Sequence, residues 1–399
     1  MTAPPPDRAS IEVAVLLGGP SAEHDVSIVS GHAVADALEG LGYPVRRILI
    51  DLDRRWWWLP AGHRRDGRPP AAYDDPGVLG AEGPLSAGAA MDRLATPGQR
   101  RGPDAGPPGP PRGGGGPAAE RPIVAFIALH GPFGEDSAVQ ALLEGAGIPY
   151  TGSGVAASAL GMDKALFKRL ARGLGLPVVD WREIPATRWA REPGAVLAEL
   201  ESFAAGNRDP RLMIKPARLG SSVGMTLAHA AAERPAALDE AFRFDTLALA
   251  ERYLPGARDL EANVIGNDPH LEVYGPGEIT SGHEFYDYAA KYTPGLSETG
   301  LRAEIPAALR ARIHKLARDA YRAIGAEGFA RVDFLLAGDT LVVSEINTIP
   351  GFTPISLFPT LPMEGGFDFA AVCERIVRLA IERQAARAGY TISVGDLPR

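Results

Sequence analysis

The segments ARVDFLL, residues 330–336, and LVVSEIN, residues 341–347, alternate polar with apolar side chains. Successive side chains of a strand point to opposite faces. Arg331 and Asp333 therefore share one face of the first segment, against Val332, Phe334 and Leu336. Glu345 and Asn347 share one face of the second, against Val342, Ser344 and Ile346. A short turn around Gly338 and Asp339 makes the two a hairpin, and pairing Asp333 with Glu345 sets two carboxylates side by side, which is destabilising without a cation. Oxygen donors from Asp, Glu and Asn suit Mg²⁺, which binds through one or two carboxylates plus substrate phosphates. The plainer alternative is a solvated sheet face on which Arg331 pairs one acid.

A second constellation suits phosphate. In KPARLGSSVGM, residues 215–225, a lysine leaves a strand-like run and small residues follow whose backbone N–H groups can approach an anion closely. Residues 220–224, GSSVG, also fit the G-x-S-x-G pattern of a serine nucleophile, with Ser222 in the central place. That turn needs a helix directly after the serine, whereas Val223 to Ala228 reads as strand, and no acid and histidine follow in a matching motif. GSGVAA at 152–157 resembles a dinucleotide fingerprint, but only Ile148 to Thr151 precede it, a poor central strand. No G-x-x-x-x-G-K-[ST] run occurs, which excludes a P-loop.

These groups need strands and helices to hold them. At 399 residues the chain is too long for one ordinary core, so two or three domains are expected. In residues 11–38 an apolar run, Val13 to Leu17, ends at Gly18 and Gly19, and a helical pattern starts near Ser21 or His24. VRRILIDL (45–52) and IVAFIALHG (123–131) add strands, the latter ending in His130 and Gly131, which predicts a parallel α/β sheet. Between them lies an insert, about Asp53 to Arg121. From Pro97 to Pro117, 15 of 21 residues are Gly or Pro, too few apolar groups to order themselves, so a disordered loop is expected. The Trp56, Trp57, Trp58 cluster reads as packing or a short hairpin rather than a binding platform.

MDKALFKRLARGLGL predicts a helix with Met162, Leu166, Leu170 and Leu174 inward, closed by Gly175 and Pro177. TLALAERYL (246–254), EANVIG, LEVYG, ARVDFLL and LVVSEIN read as strands, with helices at about 306–324 and 366–388. Three domains are expected, at 1–152, 153–254 and 255–399.

A formal net charge of −8 with no Lys/Arg block leaves no footprint for nucleic acid or an anionic membrane surface. The single cysteine, Cys373, falls in the apolar stripe of the C-terminal helix and reads as a core residue in a reducing compartment. With no leader-like segment and no long apolar window, a soluble cytoplasmic protein is expected.

Taken in order, LLGGPSAEHDVS, LHGPFGEDSAVQALLEGAGIPYTGSGVAASALGMDKALFKRL, IKPARLGSSVGM, YDYAAKY, ARVDFLL and SEINTIPGFTPISLFP resemble the D-alanine:D-alanine ligases of the ATP-grasp superfamily. The likeness spans nearly the whole chain except the 53–121 insert and the extreme ends. It implies an α/β and α+β fold, a three-domain ATP-grasp architecture whose N-terminal domain is parallel and Rossmann-like. It implies that ATP is clasped between the central and C-terminal domains and that D-alanine is joined to D-alanine, or to another acceptor such as D-lactate, for peptidoglycan precursors. By the same resemblance a pair of Mg²⁺ ions, with Mn²⁺ able to substitute, falls to Asp333, Glu345 and Asn347.

The resemblance assigns phosphate contacts to Lys164, Lys215 and Lys291, and nucleotide contact to Ser221. It assigns the adenine amino group to Glu251 beside the main chain of Tyr253 and Leu254. Asp259 stands where the family has a ribose-binding glutamate, one methylene shorter. Glu23 matches the acid that binds the first substrate's ammonium, with His130 near its carboxylate. Arg331 and the N–H of Gly351 match the oxyanion-stabilising pair, and Ser356 with the N–H of Leu357 the groups that receive the second substrate's carboxylate. Glu23, Ser221 and Tyr292 match a hydrogen-bonded trio across the closed site. Tyr292 is the form expected for an amine acceptor, where lactate-using relatives commonly carry histidine. A homodimer is also expected.

Overall fold

The computed structural model describes residues 7–95, 121–206, 209–281, 297–354, 356–388 and 390, and every count below is of those. Strands β1 (Glu12–Gly18), β2 (Val45–Ile50), β3 (Trp56–Trp58), β4 (Glu82–Leu85) and β5 (Ile123–Ile127) form one sheet in the order β4-β3-β2-β1-β5. β1 runs parallel to both β2 and β5, as alternation of apolar runs with a helical pattern predicts, while β3 and β4 join antiparallel. The β1 strand turns into the helix His24–Gly40 through Gly18 and Gly19, at φ of +85° and +94°. A Cβ on Gly18 would collide with the Ile50 carbonyl, so the tight turn needs glycine there.

Within residues 53–95 of the expected insert, β3 and β4 extend this sheet and the helix Ala87–Leu94 packs on it. Trp56 and Trp58 are buried in β3, and the Trp57 indole N–H donates to Asp51 at 2.9 Å. The tryptophans pack, as expected, rather than forming a platform. The Gly/Pro-rich run at 97–117 lies outside the described residues.

The second sheet is antiparallel throughout. Strands β6 (Trp181–Pro185), β7 (Leu212–Pro216), β8 (Thr226–Ala228) and β9 (Leu247–Arg252) stand in the order β6-β9-β7-β8. The third, also antiparallel, orders β10 (Arg258–Ile265), β11 (Glu272–Ser281), β12 (Ser297–Gly300), β13 (Phe329–Ala337) and β14 (Thr340–Asn347) as β12-β11-β10-β13-β14. Its apolar face packs on the helix Ala307–Ala323.

One expectation needs correction. The 162–174 pattern is not one helix with a leucine stripe. It breaks at Asp163, whose carboxylate caps a new helix, Lys164–Gly173, by accepting from the Ala165 and Leu166 N–H groups at 3.0 Å each. The restart sets a different phase, so Leu166 and Leu174 are 42% and 60% exposed while Ala165, Phe167, Lys168 and Ala171 face inward. The C-terminal helix, Phe369–Ala388, packs across two sheets. Val372, Cys373 and Ile376 share a core with Val13, Val15 and Phe126 of the first sheet. Phe352 bridges the two, edge-on to Phe126 at 5.6 Å between centroids. That burial, worth about 1.5–3 kcal/mol for one large side chain, fixes the segment after β14 against the first sheet.

Candidate active site

The β13-β14 hairpin forms as its alternation predicts, with Asp333 opposite Glu345 and Arg331 opposite Asn347. Strict alternation fails one step further on. The register shifts after Asp333, so Phe334 faces Val343 and Ser344 is the extra residue of a bulge. Val343 therefore joins Phe334 in the core, and Val342 lies across from Leu335, on the face opposite to the one alternation assigns it. The bulge leaves Glu345 and Asn347 on the side that carries Asp333.

That side is not a solvated face. Arg331, Asp333 and Glu345 have only 17%, 18% and 24% of their side chains exposed. Arg331 donates twice to Asp333, both at 2.7 Å, and lies 3.3 Å from Glu261 on the adjoining strand β10. Lys164 lies 3.1 Å from Glu345, and the Asn347 amide donates to Asp333 at 2.9 Å. Burial works against both cations, yet Asp333 and Glu261 hold the Arg331 pKa well above its usual value, and Glu345 raises that of Lys164. Among the described residues no three His, Cys, Asp or Glu side chains are grouped to hold a metal ion. Two carboxylates and an amide are a donor set that fits a hard divalent cation only when a ligand such as phosphate supplies the remaining oxygens.

The cleft in front of this hairpin is where that ligand fits. Its wall brings Lys164, Lys215, Glu251, Asp259 and Ser221 together with Arg331, Asp333 and Glu345. Tyr253 and Leu254, just past β9, and Leu335 supply apolar surface, and the Tyr253 ring carries Arg211 at 4.4 Å. Between β7 and β8 the loop turns at Ser221 and Ser222, both left-handed with φ of +52° and +55°. Left-handed backbone at two successive non-glycine residues carries a strain cost typical of functional loops. Strand β8, not a helix, follows, which removes the serine-nucleophile reading of Ser222.

Glu23, at the start of the first helix, accepts a hydrogen bond from the Ser221 hydroxyl, joining the first sheet to the 217–225 loop. Gly131 and Gly220 crowd this carboxylate, and a Cβ on Gly131 would come within 2.7 Å of it. His130 is 3% exposed, with one ring nitrogen 3.0 Å from the Ser30 hydroxyl and the other 3.2 Å from the Ile349 carbonyl. Burial pushes its pKa below the ordinary imidazole value. It ties the first sheet to the segment carrying Gly351. Ser356 faces Gly351, and its hydroxyl lies 2.7 Å from that of Thr353 while accepting from the Thr353 N–H at 3.2 Å. Leu357 opens the short helix Leu357–Thr360, so its N–H is a first-turn donor without an intrahelical acceptor. Lys291 and Tyr292 lie outside the described residues.

Four side chains here escape sequence reasoning. Glu261 supports Arg331 as above. Asn263 is fully buried and donates to the Phe358 carbonyl at 2.7 Å, steadying the Ser356 segment. Lys168 is buried beside Glu251. Glu135 accepts from the Gly131 N–H at 2.8 Å, and burial together with the Glu23 charge raises its pKa to about 8. The alternation of Arg258–Ile265 could have flagged Glu261 and Asn263 as one inward polar pair, but the other two carry no periodic signal. Because the folded-state pKa of Glu135 lies above its ordinary 4.5, the folded protein favours the protonated acid and loses stability as pH rises from about 4.5 to about 8. Glu135→Gln, which cannot ionise, is expected to lose less of its melting temperature than the parent between about pH 5 and about pH 9. Equal losses in both proteins would contradict this environment.

An N-terminal mixed sheet with a parallel β2-β1-β5 core, two antiparallel sheets and a cleft between lysines and carboxylates define an ATP-grasp ligase. The families described as D-ala D-ala ligase N-terminus and D-ala D-ala ligase C-terminus match residues 12–153 and 170–378, and the chain belongs to the D-alanine–D-alanine ligase family. A D-alanine–D-alanine ligase of Chlorobaculum tepidum is 36% identical over 376 residues, 94% of this chain and 97% of the relative. One from Streptomyces griseus is 37% identical over 387 residues, 95% of each. The structure is similar to that of the D-alanine-D-alanine ligase from Coxiella burnetii, with a TM-score of 0.73 at 28% identity over 95% of this chain and 96% of that one. It is similar as well to the VanG D-Ala:D-Ser ligase from Enterococcus faecalis, with a TM-score of 0.74 at 28% identity over 92% and 99%. No helix among the described residues is long and apolar enough to cross a membrane.

Proposed function

We propose that the protein uses ATP to join two D-alanine molecules into D-alanyl-D-alanine, releasing ADP and phosphate. The observation that carries this reading is one cleft holding two lysines opposite an Asp333–Glu345 carboxylate pair, with Glu23 tied to it through Ser221. A carboxylate cannot expel oxide, so it must first gain a better leaving group. One oxygen of the first D-alanine carboxylate bonds to the γ-phosphorus as the bridging oxygen to the β-phosphate departs with ADP, giving an acyl phosphate. Lys164 and Lys215 neutralise the phosphates, and Glu251, Tyr253, Leu254 and Asp259 seat the nucleoside. Mg²⁺ bound by Asp333, Glu345 and Asn347 would supply further charge neutralisation on the transferring group. Glu23 pairs the first substrate's ammonium, and His130 holds the adjacent backbone in place.

The amine of the second D-alanine then bonds to the acyl carbon, loses a proton, and the bond from that carbon to the phosphate oxygen breaks. Arg331 and the Gly351 N–H stabilise charge on the carbonyl oxygen as it develops. Ser356 and the Leu357 N–H receive the incoming carboxylate. Lys291 and Tyr292 complete the site in this reading, over three domains at 1–152, 153–254 and 255–399. The lone buried thiol of Cys373 supports a reducing, cytoplasmic setting.

Purified protein with ATP, Mg²⁺ and D-alanine tests this. Phosphate release that depends on D-alanine and matches dipeptide formed is the expected result; ATP turnover indifferent to D-alanine overturns it. The similarity to a D-Ala:D-Ser ligase makes the acceptor the finer point. D-alanine is expected to outcompete D-serine and D-lactate for the second position, and mixed products at equal concentration would contradict that choice.

A further inference from the structure

Glu251 is shared by two lysines. The Lys215 amine is 2.9 Å from one carboxylate oxygen, and the Lys168 amine is 3.1 Å from the other. All three are buried, with Lys168 0%, Glu251 4% and Lys215 7% exposed. Their positions differ. Lys215 and Glu251 line the cleft, whereas Lys168 rises behind its wall from the helix Lys164–Gly173, 6.0 Å from the centre of the Trp181 ring. β9 is an interior strand of this sheet, with Trp181 and Met213 as the neighbours of Glu251 on either side.

One lysine is enough to balance one buried carboxylate. The second adds a desolvation cost with no charge left to neutralise, and burial does push the Lys168 pKa down. Burial alone would raise Glu251, but the two lysines more than offset it and hold its pKa below the ordinary value. The trio is therefore one positive charge in excess, in a dry wall facing the place where phosphate is expected. A carboxylate shared between two cations also grips each of them less than it would grip one.

We propose that Lys168 is a positioning residue for nucleotide binding: it holds Glu251 from behind, so that Lys215 can turn to a phosphate while Glu251 stays charged and in place. This rests on the reading of the cleft as the ATP site. Lys168 touches no ligand in this account. Without it Glu251 becomes the full partner of Lys215, and phosphate must compete with that pair.

Lys168→Met keeps the length of the side chain and leaves Glu251 and Lys215 as a balanced pair; Lys168→Arg restores the cation. Affinities of the full chain for ATP and for adenosine are measured by calorimetry, with KM values for ATP and D-alanine. Lys168→Met is expected to weaken ATP by about tenfold or more, the scale of one charge-assisted contact, and adenosine by less than about threefold. The KM for D-alanine is expected to stay within about twofold, with most ATP affinity regained in Lys168→Arg. Unchanged ATP affinity overturns the proposal, and so does equal weakening of ATP and adenosine, which would mean that Lys168 only shapes the pocket. If Lys168→Met does not fold, Lys168→Gln carries the same comparison. Parent protein that fails to bind ATP would sink the nucleotide reading itself, whereas parent binding with an indifferent variant sinks this inference alone.

Discussion

Glu345→Gln is expected to lower turnover by about 10²–10³-fold, the scale of removing one preorganised electrostatic group, while the protein stays folded. The carboxylate sits where its charge matters twice. It faces Asp333 across the hairpin, and it pairs with Lys164 at 3.1 Å. Glutamine keeps the shape and one acceptor oxygen for Lys164 but cannot serve as an anionic metal ligand. A stability loss of about 1 kcal/mol, or roughly 2–4 °C in Tm for a domain of 150–250 residues, is expected from the weakened pair. The half-saturating Mg²⁺ concentration should rise in step with the loss of turnover. A collapse of Tm with normal metal dependence would instead mark Glu345 as part of a structural ion-pair network.

Arg331 gives the second large effect, and two substitutions separate its roles. Arg331→Met leaves Asp333 and Glu261 without the guanidinium between them, and removing one partner of such a buried network costs about 3–5 kcal/mol. Arg331→Lys keeps the charge but not the planar fork that donates twice to Asp333. It is expected to fold nearly as well as the parent and to lose about 10²–10³-fold in kcat, with smaller changes in the KM for D-alanine. Thermal melts beside steady-state kinetics check both. If Arg331→Lys retained parental kcat, the guanidinium would be a strut for Asp333 and not a stabiliser of developing charge.

The hairpin that carries these residues was legible because a period of two is unambiguous when four polar side chains fall on one face. Its bulge was not. Ser344 is an ordinary strand residue in sequence, and only packing decides that Val343, not Val342, fills the core opposite Phe334. The same limit hid Lys168. A lysine in an amphipathic pattern counts as a surface residue, and the leucines around it suggested a stripe that the Asp163 cap rotates away. Its value as a buried cation comes from Glu251, 83 positions further on, and no local pattern carries that pairing. Glu23 and Ser221 could be named from motifs, and the hydrogen bond that the family resemblance implies between them unites the first sheet with the loop between β7 and β8. The C-terminal helix teaches the reverse lesson. Its apolar stripe was plain, and what it covers, the first sheet, was not.

The most direct test of the central claim follows an oxygen atom. Activation of a carboxylate by phosphoryl transfer moves one carboxyl oxygen of the first D-alanine into the released phosphate, because the acyl carbon–oxygen bond is the one that breaks in the second step. With D-alanine labelled by ¹⁸O in its carboxylate, mass spectrometry of the phosphate is predicted to show one labelled oxygen per dipeptide formed. Unlabelled phosphate alongside normal dipeptide would contradict the account.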